Sequence, residues 1–255
     1  MICDSHGHVQ MLPPAELNEV LERAEQAGVG RVLVPGTTVE DSRRAVDLAE
    51  KDGRLFAAVG VHPHETGGFE SGRDLKILEE LLRSARTVAV GEIGLDFHYD
   101  HSSREAQLAG FESQLAFARE KNVPVLLHNR ESGPAMLAIL EKAGRRENAG
   151  VFHSFTEDSA FGLRAIGLGY KISYSGMLTF KGAENIRQSA RELPIAEMLV
   201  ETDSPFLSPV PHRGKRCEPA FVVETARKLA EVKAASFEEV AAATTANFER
   251  LFVRK

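Results

Sequence analysis

The sequence predicts a closed (β/α)8 barrel, built as a single domain over residues 1–255. Three observations lead there. Short apolar, β-branched runs alternate with amphipathic stretches along the whole chain, the pattern of a parallel sheet covered by helices. About eight such units fit into 255 residues, the usual size of this barrel. Side chains suited to metal binding recur where five of the apolar runs give out, and this barrel places its functional residues at the carboxyl ends of several strands. A doubly wound open sheet shares the alternation. It would leave its first and last strands far apart, whereas the recurring polar positions include both.

The elements follow in order. Met1-Ile2-Cys3 is the first strand. Pro14 to Gly28 reads as a helix, with Leu17, Val20, Leu21 and Ala24 on one face. Arg31 to Val34 is a strand that stops at Pro35-Gly36, and 38–51 is helical. Leu55 to Val61 is a strand leading into His62-Pro63-His64. A helix over 73–85 precedes the strand Val88-Ala89-Val90. Ser102 or Ser103 is a fitting N-cap for a long helix to Glu120. The strand Val125-Leu126-Leu127 is followed by a helix over 133–143. Val151-Phe152 precedes a helix over 157–168, and Tyr170 to Ser175 precedes one over 182–191. Met198-Leu199-Val200 is the last strand. Residues 218–253 read as two helices divided near Ala235-Ser236. No Ser/Gly-rich linker and no internal repeat interrupts the series.

Five places carry the chemistry. His6-Gly7-His8 sets two imidazoles two residues apart, on one face if the chain is extended, and neutral imidazole is the commonest metal ligand. Glu92 follows Val88-Ala89-Val90, His128 follows Val125-Leu126-Leu127, His153 follows Val151-Phe152, and Asp203 closes Met198-Leu199-Val200-Glu201-Thr202. Each alone has an ordinary structural explanation, a capping carboxylate or a histidine bonded to a carbonyl. Their repetition at equivalent places does not. Four histidines and two carboxylates exceed one four-coordinate structural zinc and suit two ions that share a carboxylate.

Composition excludes several classes. Apolar residues make up 43% of the chain, enough for one large core. No apolar run approaches the ~20 residues of a membrane helix, and no basic-then-apolar leader with a small-residue cleavage site opens the chain. Two cysteines, Cys3 and Cys217, are too few for a disulfide framework and favour a reducing cytoplasm. The formal charge is −6, from 31 basic and 37 acidic residues, which disfavours broad binding to duplex phosphates. Nothing in the sequence calls for a membrane or an obligate protein partner.

Six blocks in order carry a family resemblance: Asp4-Ser5-His6-Gly7-His8, Gly60-Val61-His62-Pro63-His64, Gly91-Glu92-Ile93-Gly94-Leu95-Asp96, Pro124 through Arg130, His153-Ser154-Phe155-Thr156, and Glu201-Thr202-Asp203-Ser204-Pro205. Together they resemble the signature of the TatD family, metal-dependent deoxyribonucleases of the amidohydrolase superfamily. The resemblance implies a (β/α)8 barrel holding one or two divalent ions. It implies that His6, His8 and Asp203 hold one ion, that His128 and His153 hold the other, and that Glu92 bridges them. It also implies magnesium or manganese, while the imidazole content by itself suits zinc or manganese better than magnesium. Gln10, Pro134 and Cys217 depart from the family pattern, at positions that are not expected ligands.

Neighbouring residues are candidates for substrate. Arg130 shares strand parity with His128 and matches phosphate geometry; its alternative is a salt bridge to Glu131 or a helix end. His62 and His64 either donate to a phosphate or cap a loop. Glu201 shares parity with Asp203 and is a candidate to orient a ligand histidine. Arg213 and Lys215 belong to a basic loop after the last strand, suited to steering phosphate. Phe97, His98, Tyr99 and His101 either stack on a base or pack their loop. The leading function is a phosphodiesterase on DNA, an exonuclease at single-stranded ends, with Glu92 and Asp203 as catalytic carboxylates. The alternatives are a carbon-ester or amide hydrolase, such as an aminoacyl-tRNA deacylase, and a metal-stabilised scaffold that binds nucleic acid without cutting it.

Overall fold

The computed structural model describes residues 1–253. Its strands and helices run β1 (Ile2–Asp4), α1 (Pro14–Gln26), β2 (Val29–Pro35), α2 (Val39–Lys51), β3 (Leu55–Val59), α3 (Ser71–Leu81), β4 (Thr87–Asp96), α4 (Arg104–Glu120), β5 (Val125–Arg130), α5 (Gly133–Ala143), β6 (Gly150–Phe152), α6 (Ser159–Gly167), β7 (Tyr170–Tyr174), α7 (Glu184–Glu192), β8 (Met198–Val200), α8 (Val222–Lys233) and α9 (Phe237–Phe252). The strands form one sheet in the order β1 to β8. The pairs β1–β2, β3–β4, β4–β5, β5–β6 and β7–β8 are parallel. Sequential parallel strands alternating with helices are the topology of a (β/α)8 barrel.

Side-chain caps explain several helix starts. Thr38 Oγ1 accepts the Asp41 N–H at the head of α2, and Ser103 Oγ accepts the Ala106 N–H at the head of α4. Ser102, the other expected cap, instead donates to the His64 carbonyl and accepts the Gly67 N–H. Ser236 and Glu239 form a capping box at α9, one residue after the division expected near Ala235-Ser236. Pro134 lies in the first turn of α5, where a missing N–H costs nothing.

Packing divides the chain into two compact units. One consists of Met1–Leu33, His153–Ile166 and the segment from Lys171 onward; the other consists of Val34–Phe152 and Gly167–Tyr170. In the first, the core is built from Ile172, Tyr174, Leu199, Val200, Leu229, Phe248 and Phe252. There β8 meets the end of β1: the Ser5 N–H donates to the Val200 carbonyl, Asp203 N–H to His6, and His8 N–H to Ser204. Gly7 is required at this crossing, because a Cβ would stand 2.9 Å from Ser204 Oγ and 3.3 Å from Asp4 Oδ2. In the second unit, Leu55, Val59, Val90, Ile93, Phe111, Leu126, Leu127 and Leu140 are buried.

The expected ends of β4 and β5 need correction: β5 runs past Leu127 to Arg130, so His128 lies within it. Glu92 does not sit where its strand ends. β4 runs on to Asp96, because Gly94, Leu95 and Asp96 pair in register with His128, Asn129 and Arg130 of β5. The apolar run stops at Val90, but the hydrogen-bond ladder continues. Gly94 permits it: its φ is +145°, and a Cβ there would lie 2.0 Å from the His128 carbonyl oxygen.

Candidate metal centre

In the unit that begins with Met1–Leu33, His6, His8 and Asp203 form one group of possible ligands, and His6, His153 and Glu201 form an overlapping one. His6 and His8 flank Gly7 just beyond β1. Their Nε2 atoms are 3.0 Å apart, and each is 3.6 Å from Asp203 Oδ1. Both rings are buried. The His6 and His153 rings stack with centroids 4.0 Å apart. His153 Nδ1 lies 3.2 Å from Glu201 Oε1, which also accepts the Ser154 N–H at 2.7 Å. Glu201 is wholly buried; burial is the strongest single influence and would raise its pKa, but the hydrogen bond and charge of His153 together with His6 and Ser173 lower it.

Asp203 does not continue the strand. β8 ends at Val200, and Asp203 adopts φ +59°, a region that a non-glycine residue occupies at a cost. The parity expected between Glu201 and Asp203 therefore fails. A buried carboxyl holds the turn in its place. Asp4 Oδ1 accepts the Thr202 N–H at 2.9 Å and the His6 N–H at 3.3 Å, and Thr202 Oγ1 donates to Asp4 Oδ2 at 2.6 Å. Thr202 Oγ1 in turn accepts the Ser204 N–H at 3.1 Å. Burial pushes the Asp4 carboxyl up to about 8, against the pull of the Thr202 and His6 hydrogen bonds. Cys217 is buried below the same turn, with Sγ 4.0 Å from the Thr202 carbonyl.

In the other unit, His62, Glu92 and His128 form a third group. Glu92 Oε1 lies 3.0 Å from His128 Nδ1 and 3.4 Å from His62 Nε2. Asp96 Oδ2 lies 3.0 Å from His128 Nε2 and 2.9 Å from His64 Nε2. Burial draws the His62 imidazole down to about 4, against the attraction of the Glu92 carboxylate. Burial would raise Asp96, but hydrogen bonds from His128 and His64 and the backbone of Tyr99 hold it well below the usual carboxylate range. His62 also caps its own loop, its Nδ1 accepting the His64 N–H at 3.2 Å.

The structure thus gathers His6, His8, His153 and Asp203 in one unit and Glu92 and His128 in the other, the latter with His62. The roles of Asp4 and Asp96 and the ligand capacity of His62 emerge only from the structure. Asp96 stood in a recognised block, two residues beyond Gly94, and a carboxyl at the end of an extended strand was the available signal. Among the substrate candidates, Arg130 meets neither expected partner. Glu131 pairs with His98 Nδ1 at 2.6 Å, and the Arg130 guanidinium lies 4.7 Å from the Tyr99 ring centroid. Arg213 lies 3.8 Å over Phe180 and donates to the Ser208 carbonyl. His212 stacks on Phe221, Arg216 pairs with Glu16, and Lys215 is exposed. Phe97 packs its loop under Arg104.

The donor chemistry fits a divalent ion. Ligand atoms about 2.0–2.2 Å from a common ion stand roughly 3–3.6 Å apart, which are the separations found among His6, His8 and Asp203. Carboxylates behind His153 and His128 match the usual support of metal-binding imidazoles.

Comparison with known proteins agrees. A family model described as TatD related DNase matches residues 3–253. The uncharacterized metal-dependent hydrolase YabD of Bacillus subtilis is 36% identical over 253 residues, covering 99% of each chain. The uncharacterized metal-dependent hydrolase YcfH of Escherichia coli is 38% identical over 256 residues, covering 98% of this chain and 95% of its own. The crystal structure of YjjV, a TatD homologue from Escherichia coli, superposes with a TM-score of 0.92 at 32% identity, over 100% of this chain and 98% of that one. The chain belongs to the TatD family and is a metal-dependent hydrolase. No helix among the described residues is long and apolar enough to cross a membrane.

Proposed function

We propose that this hydrolase cleaves phosphodiester bonds of DNA, as an exonuclease on single-stranded ends, with two divalent ions held by His6, His8, Glu92, His128, His153 and Asp203. The observation that carries the reading is the pairing of imidazoles with carboxylates in two separate donor groups, His6–His8–Asp203 and His62–Glu92–His128. Two-ion sites suit in-line displacement at phosphorus. When bound, the ions act as Lewis acids and bring a water toward ionisation near neutral pH.

The protein's own groups do the rest. Asp203 keeps a partly exposed carboxylate, 15% accessible, and accepts the proton of the attacking water. Glu92 contributes negative charge beside His128. Glu201 orients His153, and Asp96 orients His128, each through a ring nitrogen. His62, kept neutral at ordinary pH by burial, serves as a lone-pair donor and not as a cationic clamp. His64, Arg130, Arg213 and Lys215 meet substrate phosphates. The net charge of −6 opposes wide contact along a duplex and fits capture of a strand end.

The test uses metal-stripped protein and end-labelled single-stranded DNA, with magnesium, manganese or zinc restored separately. Metal-dependent shortening from one end is expected. Inert DNA alongside rapid hydrolysis of carboxylic esters or lactones would give the assignment to the carbon-ester hydrolase.

A further inference from the structure

We propose that Tyr99 and Arg130 form a stacking platform for an unpaired nucleobase of the substrate; this rests on the nuclease reading and specifies the substrate's single-stranded character. Tyr99 is 41% exposed, on the segment that follows β4. That segment is anchored. Asp96 Oδ1 accepts the backbone N–H groups of His98, at 3.0 Å, and Tyr99, at 3.1 Å. Its other oxygen contacts His128 and His64. One carboxyl therefore holds both a histidine of the His62–Glu92–His128 group and the backbone that presents Tyr99.

Arg130 closes β5, two residues after His128, and pairs in register with Asp96. The Phe97 N–H donates to its carbonyl. Its side chain is exposed and makes no ion pair among the described residues; it lies over the Tyr99 ring instead. An exposed cation–aromatic pair stabilises a fold by only about 0.5–1 kcal/mol, so stability is a weak reason to place both side chains in solvent. The His64 and His98 rings stand nearly perpendicular to the Tyr99 ring at centroid distances of 5.6 and 4.6 Å, and the His101 ring lies tilted by 34° to it at 5.5 Å; these neighbours set its orientation.

An aromatic face joined to a delocalised cation has the chemistry of single-strand recognition. The ring and guanidinium plane accept any base by stacking, and the charge attracts the adjoining phosphate. Base pairs inside a duplex are stacked on both faces and present no free face to it. A carboxylic ester with no base would gain nothing from Tyr99.

The experiment compares manganese-loaded wild type with Tyr99→Phe, Tyr99→Leu and Tyr99→Ala on two single-stranded oligonucleotides of equal length and charge. One carries bases throughout, and the other is abasic near the cleaved end. The readout is the ratio of kcat/KM between the two. Loss of stacking lowers that ratio about 5- to 100-fold in the leucine and alanine variants, chiefly through KM, and the phenylalanine variant restores it. If the wild type cuts the base-bearing strand and the ratio is the same in all four proteins, the platform is overturned and the nuclease reading stands. A fall in kcat on both strands with no change in ratio also overturns it, making Tyr99 a support of its loop. If wild type cuts neither strand with manganese, nor with magnesium or zinc in its place, the nuclease reading falls and the platform with it.

Discussion

Replacing Asp4 with alanine is expected to destabilise the fold and weaken metal binding together. The substitution removes a fully buried acceptor from three donors: the Thr202 N–H at 2.9 Å, the Thr202 hydroxyl at 2.6 Å and the His6 N–H at 3.3 Å. A buried donor left unsatisfied costs about 1–3 kcal/mol. The hydroxyl can rotate and the His6 contact is long, so about 3 kcal/mol in total is a fair sum. At about 2–4 °C per kcal/mol for a chain of this size, the metal-free protein should melt roughly 6–12 °C lower. The metal effect follows from position. Thr202 and Ser204, both in the Asp4 network, bracket Asp203, whose φ of +59° relaxes when the bracket is lost. Loss of such outer support typically weakens metal affinity about 10- to 100-fold. Asp4→Asn keeps one acceptor and the side-chain shape, so it should lose about 1 kcal/mol and fall between wild type and alanine in both measurements. Thermal melts of metal-free protein and calorimetric titration with manganese are the assays. A melting temperature within 2 °C of wild type, about the smallest shift 1 kcal/mol produces, would refute the clamp. A lowered melting temperature with unchanged manganese affinity would confine Asp4 to stability alone.

Further predictions concern the metal-binding groups, the substrate contacts and the thiols. Glu92→Gln keeps the side-chain shape beside His128 but removes its charge; the variant should stay folded by circular dichroism and lose most turnover, and near-normal turnover at saturating manganese would contradict the role. Asp203→Asn should stop hydrolysis while leaving DNA-end binding largely intact. Arg130→Ala should weaken binding and reduce the slope of log affinity against log salt by about 1, as one lost phosphate contact does; an unchanged slope in a salt titration would remove Arg130 from phosphate binding. Burial pushes the thiol of Cys3 up to about 11 and that of Cys217 up to about 12. The reactive thiolate forms only as pH approaches those values, so neither cysteine should react with a disulfide reagent at pH 8 until denaturant is added. Rapid labelling of folded protein would contradict their burial.

Much of this protein was determined by local sequence. The helix over 133–143 and the strand over 198–200 have the same limits in the structure as in the apolar pattern, because helical spacing, a flanking glycine and short β-branched runs are local signals. The candidate ligands His6, His8, Glu92, His128, His153 and Asp203 stand out in the sequence for a related reason, each following an apolar run inside blocks that carry a family signature, whereas His62 does not stand out as a ligand. What the local signals lack is pairing across the chain. The apolar run of β4 stops at Val90, yet the strand extends to Asp96 because β5 supplies hydrogen-bond partners there, and Asp203 leaves the strand because the backbone turns left-handed under a clamp from Asp4. Asp4 and Thr202 are 198 residues apart; His128 and Asp96 are 32 apart. Only the folded chain sets such groups at hydrogen-bonding distance, so tertiary structure alone decided which carboxyls hold the ligand histidines and their turns in place, and that Arg130 lies on Tyr99 rather than on Glu131.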